Sequence, residues 1–189
     1  MSEVFENLFP PELSVTPYKS NHEYLNEEFK RVQMLLNHYL CAKKSNDFHK
    51  LKKIALKDFN DADFYIKSRL CVSKDDFFAG EYIKKVYNLS PTEWFCLLIG
   101  AFCELDKKYL EMFLSIENEP TLSHNAILKL YFFVDDISEI DNYYFIYTSL
   151  FQKMNSLCFE DSTLKIDKQL FENIMSNAEN EINVPGINL

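Results

Sequence analysis

The sequence predicts a mainly α fold, a set of helices joined to one small β-hairpin, and three observations carry that expectation. Apolar residues recur at helical spacing in most segments between residues 20 and 177. Ser90-Pro91-Thr92-Glu93 places a cap serine, a proline at the first helical position and a glutamate three residues after the serine, the signature of a capping box. Between Leu157 and Ile166 the period shortens to alternation around the polar turn Glu160 to Thr163, the pattern of a hairpin. With 189 residues, 47% of them hydrophobic, the chain has material for a core of ordinary size.

Residues 1 to 19 hold Pro10, Pro11 and Pro17 and read as an extended arm. A helix is expected from Ser20, with Glu23 at capping-box spacing, to about Ala42; Leu25, Phe29, Val32, Leu35, Leu36, Tyr39 and Leu40 share one face. Segment 48 to 70 is mixed. Leu51, Ile54 and Ala55 fit a helical stripe, Asp58 to Asp63 reads as a turn, and Phe64 to Leu70 fits strand or helix alike. Ser73 and Asp76, at cap spacing, open a helix that runs to Asn88 with Phe77, Phe78, Tyr82, Ile83, Val86 and Tyr87 facing inward.

The helix behind Ser90 is apolar nearly all round from Trp94 to Phe102, which places it at the centre of the core. Gly100 inside it costs about 1 kcal/mol relative to alanine, so the close approach of another helix is expected there. Asp106 caps a helix through Tyr109, Leu110, Met112, Phe113 and Ile116, ended by Pro120. Ser123 starts another through Ala126, Ile127, Leu130, Tyr131 and Phe133, and a further helix is expected from Tyr143 to Asn155. After the hairpin, Asp167 caps a last helix with Leu170, Phe171, Ile174 and Met175. The order of these elements suggests an arm over 1–19, an N-terminal helical segment over 20–72, a winged-helix-like domain over 73–177 with the hairpin as its wing, and an acidic tail or linker over 178–189.

Composition excludes several chemistries. Only Gly80, Gly100 and Gly186 are glycines, too scattered to build a phosphate-cradling loop or a dinucleotide fingerprint. His22, His38, His49 and His124 form no metal-ligand spacing, and His38, on the polar flank of its helix, reads as a solvated side chain. Cys103 beside Glu104 has no histidine nearby in sequence and reads as packing, while Glu104 and Asp106 suit helix capping. No catalytic constellation, cofactor or metal site is expected. Five cysteines, Cys41, Cys71, Cys96, Cys103 and Cys158, include no Cys-x-x-Cys pair and fit free thiols in a reducing cytoplasm. The start, Met1-Ser-Glu-Val-Phe-Glu, lacks the basic and apolar regions of a signal peptide. The apolar run from Trp94 to Cys103 is about half the length of a membrane span, so a cytoplasmic chain that does not cross a membrane is expected.

A net charge of −9 disfavours general binding to nucleic acid or anionic membrane. The charge is polarised: residues 30 to 57 hold eight Lys or Arg against Asp47 alone, a net +7, and the other residues carry −16. That segment reads either as a solvated helix face or as a docking surface for an acidic partner or nucleic acid. The helix from Ser123 to Phe133 offers only His124, Asn125 and Lys129 to a major groove, so specific base reading by it is not expected.

Leu89-Ser90-Pro91-x-Glu93, the Leu97-Leu98 core, Glu104-Leu105-Asp106-x-x-Tyr109 and Pro120-Thr121 leading to Ala126 and Leu130 follow one another in order, with a weaker echo at Leu164 to Ile174. This run resembles the N-terminal winged-helix region of the bacterial AAA-type ATPases found beside phage-tail-like contractile injection systems. The chain departs from that pattern at Phe102-Cys103, where the family usually has Ala-Pro, and at Glu117-Asn118, where a pair of aspartates is common; it carries no Walker A sequence. The resemblance therefore implies the accessory domain and not the ATPase: a non-catalytic adaptor or regulatory module whose protein partner is an ATPase module or another contractile-system component. The expected partner surfaces are Lys43, Lys44, Lys50, Lys52, Lys53 and Lys57, and the acidic break Asp135, Asp136, Glu139 and Asp141. The alternative is a winged-helix nucleic-acid-binding regulator that uses segment 43–57 and the wing lysine Lys165; a toxin- or immunity-type acidic partner is a third reading.

Overall fold

A computed structural model describes residues 15–73, 77–116, 121–133, 159–160 and 163–177. Seven helices and one short ladder occupy them: α1 (Asn21–Lys43), α2 (Phe48–Val72), α3 (Ala79–Val86), α4 (Pro91–Leu105), α5 (Lys107–Leu114), α6 (His124–Phe132), β1 (Phe159–Glu160), β2 (Thr163–Leu164) and α7 (Lys168–Met175). The fold is mainly helical. Asp76, Pro120, the acidic break at 135–141, the helix expected at 143–155, Cys158, the tail at 178–189 and the arm before residue 15 lie outside the described residues.

α1 and α4 form the centre. Ser20 caps α1 by accepting from the Glu23 amide at 3.2 Å, and Glu23 returns to the Lys19 amide at 2.9 Å. The capping box of α4 is complete: the Ser90 amide donates to Glu93 Oε2 at 2.6 Å and the Glu93 amide to Ser90 Oγ at 3.3 Å. Residues 93 to 102 of α4 are all buried, as their unbroken apolarity requires. Phe102 stacks on Phe29 of α1 at 4.8 Å and on Tyr109 of α5 at 3.8 Å between centroids.

Segment 48–72 is one continuous helix, which corrects the turn expected at Asp58 to Asp63. The acids that resembled a turn are partners of α1. Asp63 Oδ1 accepts from Arg31 at 2.7 Å, and Asp58 Oδ2 lies 2.9 Å from His38 Nε2. Ala55, Ala62, Ile66 and Arg69 make up the buried stripe, with the two alanines letting the helices approach closely. Ser73 also departs from expectation: it closes α2, donating to the Arg69 carbonyl at 2.7 Å, and its Oγ accepts from the Tyr18 amide at 2.7 Å.

α3 begins at Ala79 and ends in a Schellman motif. Asn88 takes the left-handed conformation at φ 47°, its amide donates to the Lys85 carbonyl, and the Leu89 amide donates to the Lys84 carbonyl at 2.8 Å. This turns the chain directly into the cap of α4.

β1 and β2 pair antiparallel over two residues each, Phe159 with Leu164 and Glu160 with Thr163. The expected wing is not seen among the described residues. The chain after Thr163 turns inward instead: the Leu164 amide donates to the Leu122 carbonyl at 2.9 Å, and Ile166 is buried. It also corrects the reading of Gly100, because the close neighbours are Ile166 and Leu164, not another helix; a Cβ at Gly100 would sit 3.4 Å from Ile166 Cβ.

Two polar side chains bind distant segments together. Asn21, fully buried, donates to the Ile174 and Ser176 carbonyls at 2.8 Å each and so satisfies the end of α7 from the start of α1. Arg69, 4% exposed, donates to the Thr16 carbonyl, to Glu23 at 2.6 Å and to Glu27 at 2.5 Å, and its guanidinium lies 3.9 Å from the Tyr18 ring centroid. The core these contacts enclose is continuous across residue 72, taking buried side chains from α1 through α7.

Replacing Arg69 with alanine strands Glu27 and frees residues 16–18; we expect a loss of about 3 to 5 kcal/mol in urea unfolding. Gly80→Ala places a Cβ 2.9 Å from both Trp94 Cη2 and Tyr24 Cε1. Its expected cost is about 1 to 3 kcal/mol in the same assay.

Candidate docking face and charged cleft

The basic segment falls on the end of α1, the α1–α2 turn and the first half of α2. Lys43 serves the fold: its ammonium donates to the Ile116 carbonyl at 2.7 Å and to the Ser115 carbonyl at 3.4 Å, satisfying the end of α5. Lys44 caps α1 from an exposed position. Lys52 is half-buried and engaged within the fold. Lys50, Lys53 and Lys57 are exposed, and at helical spacing they share the side of α2 opposite Ala55 and Ala62. Ile54, 40% exposed, and Phe64, 62% exposed, lie on the same side. The structure thus brings together three of the six lysines singled out in the sequence. Asp135, Asp136, Glu139 and Asp141 lie outside the described residues, so their relation to this face is not part of the geometry.

A second polar region, unmarked by the sequence reading, lies among α1, α2, α3 and α4. Glu28, 3% exposed, ion-pairs with Arg31 at 2.6 Å and accepts from Trp94 Nε1 at 3.1 Å. Arg31 reaches on to Asp63, and its guanidinium lies 4.9 Å from the Phe59 ring centroid. The Tyr24 hydroxyl donates to Glu81 at 2.6 Å and also lies 3.1 Å from Glu28 Oε1. Glu81 pairs with Lys84, whose ammonium sits 5.1 Å over the Trp94 ring. The signal was present in the sequence, since Glu28 and Arg31 interrupt the apolar face of α1 between Leu25 and Val32.

His38 is 3% exposed and faces Asp58, which corrects its reading as a solvated side chain. The turn of α1 that carries it faces α2, a partner that the mixed pattern of segment 48–70 does not reveal. Cys96 and Cys103 are packed against the core, and burial pushes both thiols up to about 12. At neutral pH they are protonated and poor nucleophiles. Among the described residues no group of three or more His, Cys, Asp or Glu side chains is placed to hold a metal ion. Nor is any described helix long and apolar enough to cross a membrane.

No family model, no curated protein and no solved structure matches the chain.

Residue-resolved alkylation at neutral pH is expected to modify the exposed Cys41 and Cys71 first in the native protein, the half-buried Cys103 more slowly, and the buried Cys96 only on unfolding. Stability should depend on pH on both sides of the window between the ordinary carboxyl and thiol values of 4.5 and 9.0. Below that window it should fall, because the hydrogen bond from Arg69 holds the Glu23 carboxyl beneath its ordinary value, and that contribution disappears as pH drops through the folded value. Above it the unfolded thiols ionise while burial keeps Cys96 and Cys103 neutral, so stability falls again; urea midpoints across pH measure both limbs.

Proposed function

We propose that the chain is a non-catalytic protein-interaction domain that docks an acidic partner through the outer face of α2. The observation that carries this reading is the combination of Lys50, Lys53 and Lys57 with the exposed Ile54 and Phe64 on one helical side. Isolated lysines on a helix are ordinary solvated groups, whereas lysines around apolar anchors fit a partner that supplies carboxylates around an apolar centre. Long-range attraction then sets the encounter and the anchors set the residence time.

The finer reading is an adaptor of winged-helix type, comparable to the accessory N-terminal region of an AAA-type ATPase of a contractile system and working in the cytoplasm. The resemblance over Leu89 to Phe133 supports it. So does the order of the helices, in which α4 and α5 precede α6. The partner in this reading is the ATPase module or another component of such a system.

The test is charge reversal of the face, Lys50→Glu, Lys53→Glu and Lys57→Glu together. All three positions are exposed, so the thermal midpoint should hold. The partner recovered with the wild-type chain from its source cells should be lost with the triple variant, and wild-type affinity should weaken at about 0.5 M salt. Unchanged partner recovery by the variant would refute the docking face. Duplex DNA anisotropy separates the nucleic-acid alternative: no binding at low salt is expected, and micromolar binding with a steep salt dependence would replace the adaptor reading by that of a nucleic-acid binder.

A further inference from the structure

The charged region among α1, α2, α3 and α4 surrounds a cleft of about 350 Å3, bounded by these helices and by Tyr131 of α6. Its apolar lining includes Phe59, Ile66, Trp94 and Phe95. Its rim carries one acid and one base on each side. On α2, Lys67 pairs with Asp63 at 2.6 Å; on α3, Lys84 pairs with Glu81. Glu28 and Arg31, paired with each other, complete the set below.

These six groups sum to zero charge, in contrast to the cationic outer face of α2. A ligand with a net charge would be attracted by half of the rim and repelled by the other half. A ligand that carries both signs a few ångströms apart meets an opposite charge for each of them. The volume is at the lower end of small-molecule sites, room for one large apolar side chain and the polar group attached to it. The ammonium of Lys67, on a side chain 71% exposed, is free to turn from Asp63 toward an incoming carboxylate.

We propose that this cleft binds a zwitterion of the α-amino acid class with a branched or aromatic side chain. The side chain rests against the half-buried Phe59, Leu70 and Leu89 and the small accessible edge of Trp94, the carboxylate meets Lys67 or Lys84, and the ammonium meets Asp63 or Glu81. The inference stands apart from the docking reading, because it uses none of Lys50, Lys53, Lys57, Ile54 or Phe64.

Trp94 is the sole tryptophan, so its emission reports the cleft directly. Titration with leucine and with phenylalanine, excited where phenylalanine does not absorb, should give a saturable change below about 10 mM. N-acetyl-leucine amide, which keeps the side chain and loses both charges, should bind at least about tenfold more weakly. Lys67→Ala, at an exposed position, should weaken leucine several-fold and leave the thermal midpoint unchanged. Calorimetry on the same samples detects binding that leaves the indole silent. Absence of a response in both measurements overturns the proposal, and so does equal binding of the blocked compound, which would make the cleft an uncharged anchor pocket.

Discussion

A carboxylate and a guanidinium taken out of water side by side on α1 set the positions of three other helices. Glu28 and Arg31 are one helical turn apart and nearly fully buried, and each costs several kcal/mol of lost hydration unless its partners are well placed. Those partners are distributed over the fold. Trp94 brings α4 to Glu28, Asp63 and Phe59 bring α2 to Arg31, and Tyr24 carries the connection to Glu81 of α3. Shifting any one of these helices by a turn would strand a buried charge, whereas apolar surfaces tolerate such slips. The pair therefore acts more on the choice of register than on net stability, which apolar burial along α4 supplies.

The same constraint explains which parts of the fold were legible in sequence. The capping box at Ser90 and the caps at Ser123 and Asp167 were legible because a cap is a contact between residues two or three apart. The apolar face of α1 was legible for the same reason of short range. α2 was not, because Asp58 and Asp63 are polar for the sake of His38 and Arg31, 20 and 32 residues away. Local pattern alone assigns such acids to a turn. Gly100 marks a site of close approach, yet the approaching element comes from residues 164–166, about 65 positions on. The lysines of the docking face were legible as charge, but only the helix separates Lys50, Lys53 and Lys57, which point outward, from Lys43, which closes α5. The cleft was not legible at all, since its walls come from five separate helices.

Polar cross-links also do the work that disulfides do in smaller chains. Asn21 joins the first helix to the last, 153 residues apart, with two hydrogen bonds at 2.8 Å. Arg69 fastens residues 16–18 against the end of α2 while satisfying two glutamates of α1. In a chain whose Cys96 and Cys103 thiols are held protonated, such amide and guanidinium bridges close long loops without oxidation.

α2 is held differently from the helix it carries its lysines beside. Its fully covered apolar side chains are two alanines and Ile66, with Leu51, Leu56, Phe59 and Leu70 half-buried against the core and ionic contacts to α1 besides, whereas α4 buries ten consecutive residues. Local opening of the backbone follows apolar burial, so amide protons along α2 should exchange through smaller fluctuations than those of α4, which open only with the whole domain. A partner seated on Ile54 and Phe64 would add the missing apolar contact on the side where the fold provides none. Binding at that face would then be felt as rigidity as well as affinity, stiffening α2 along its outer side.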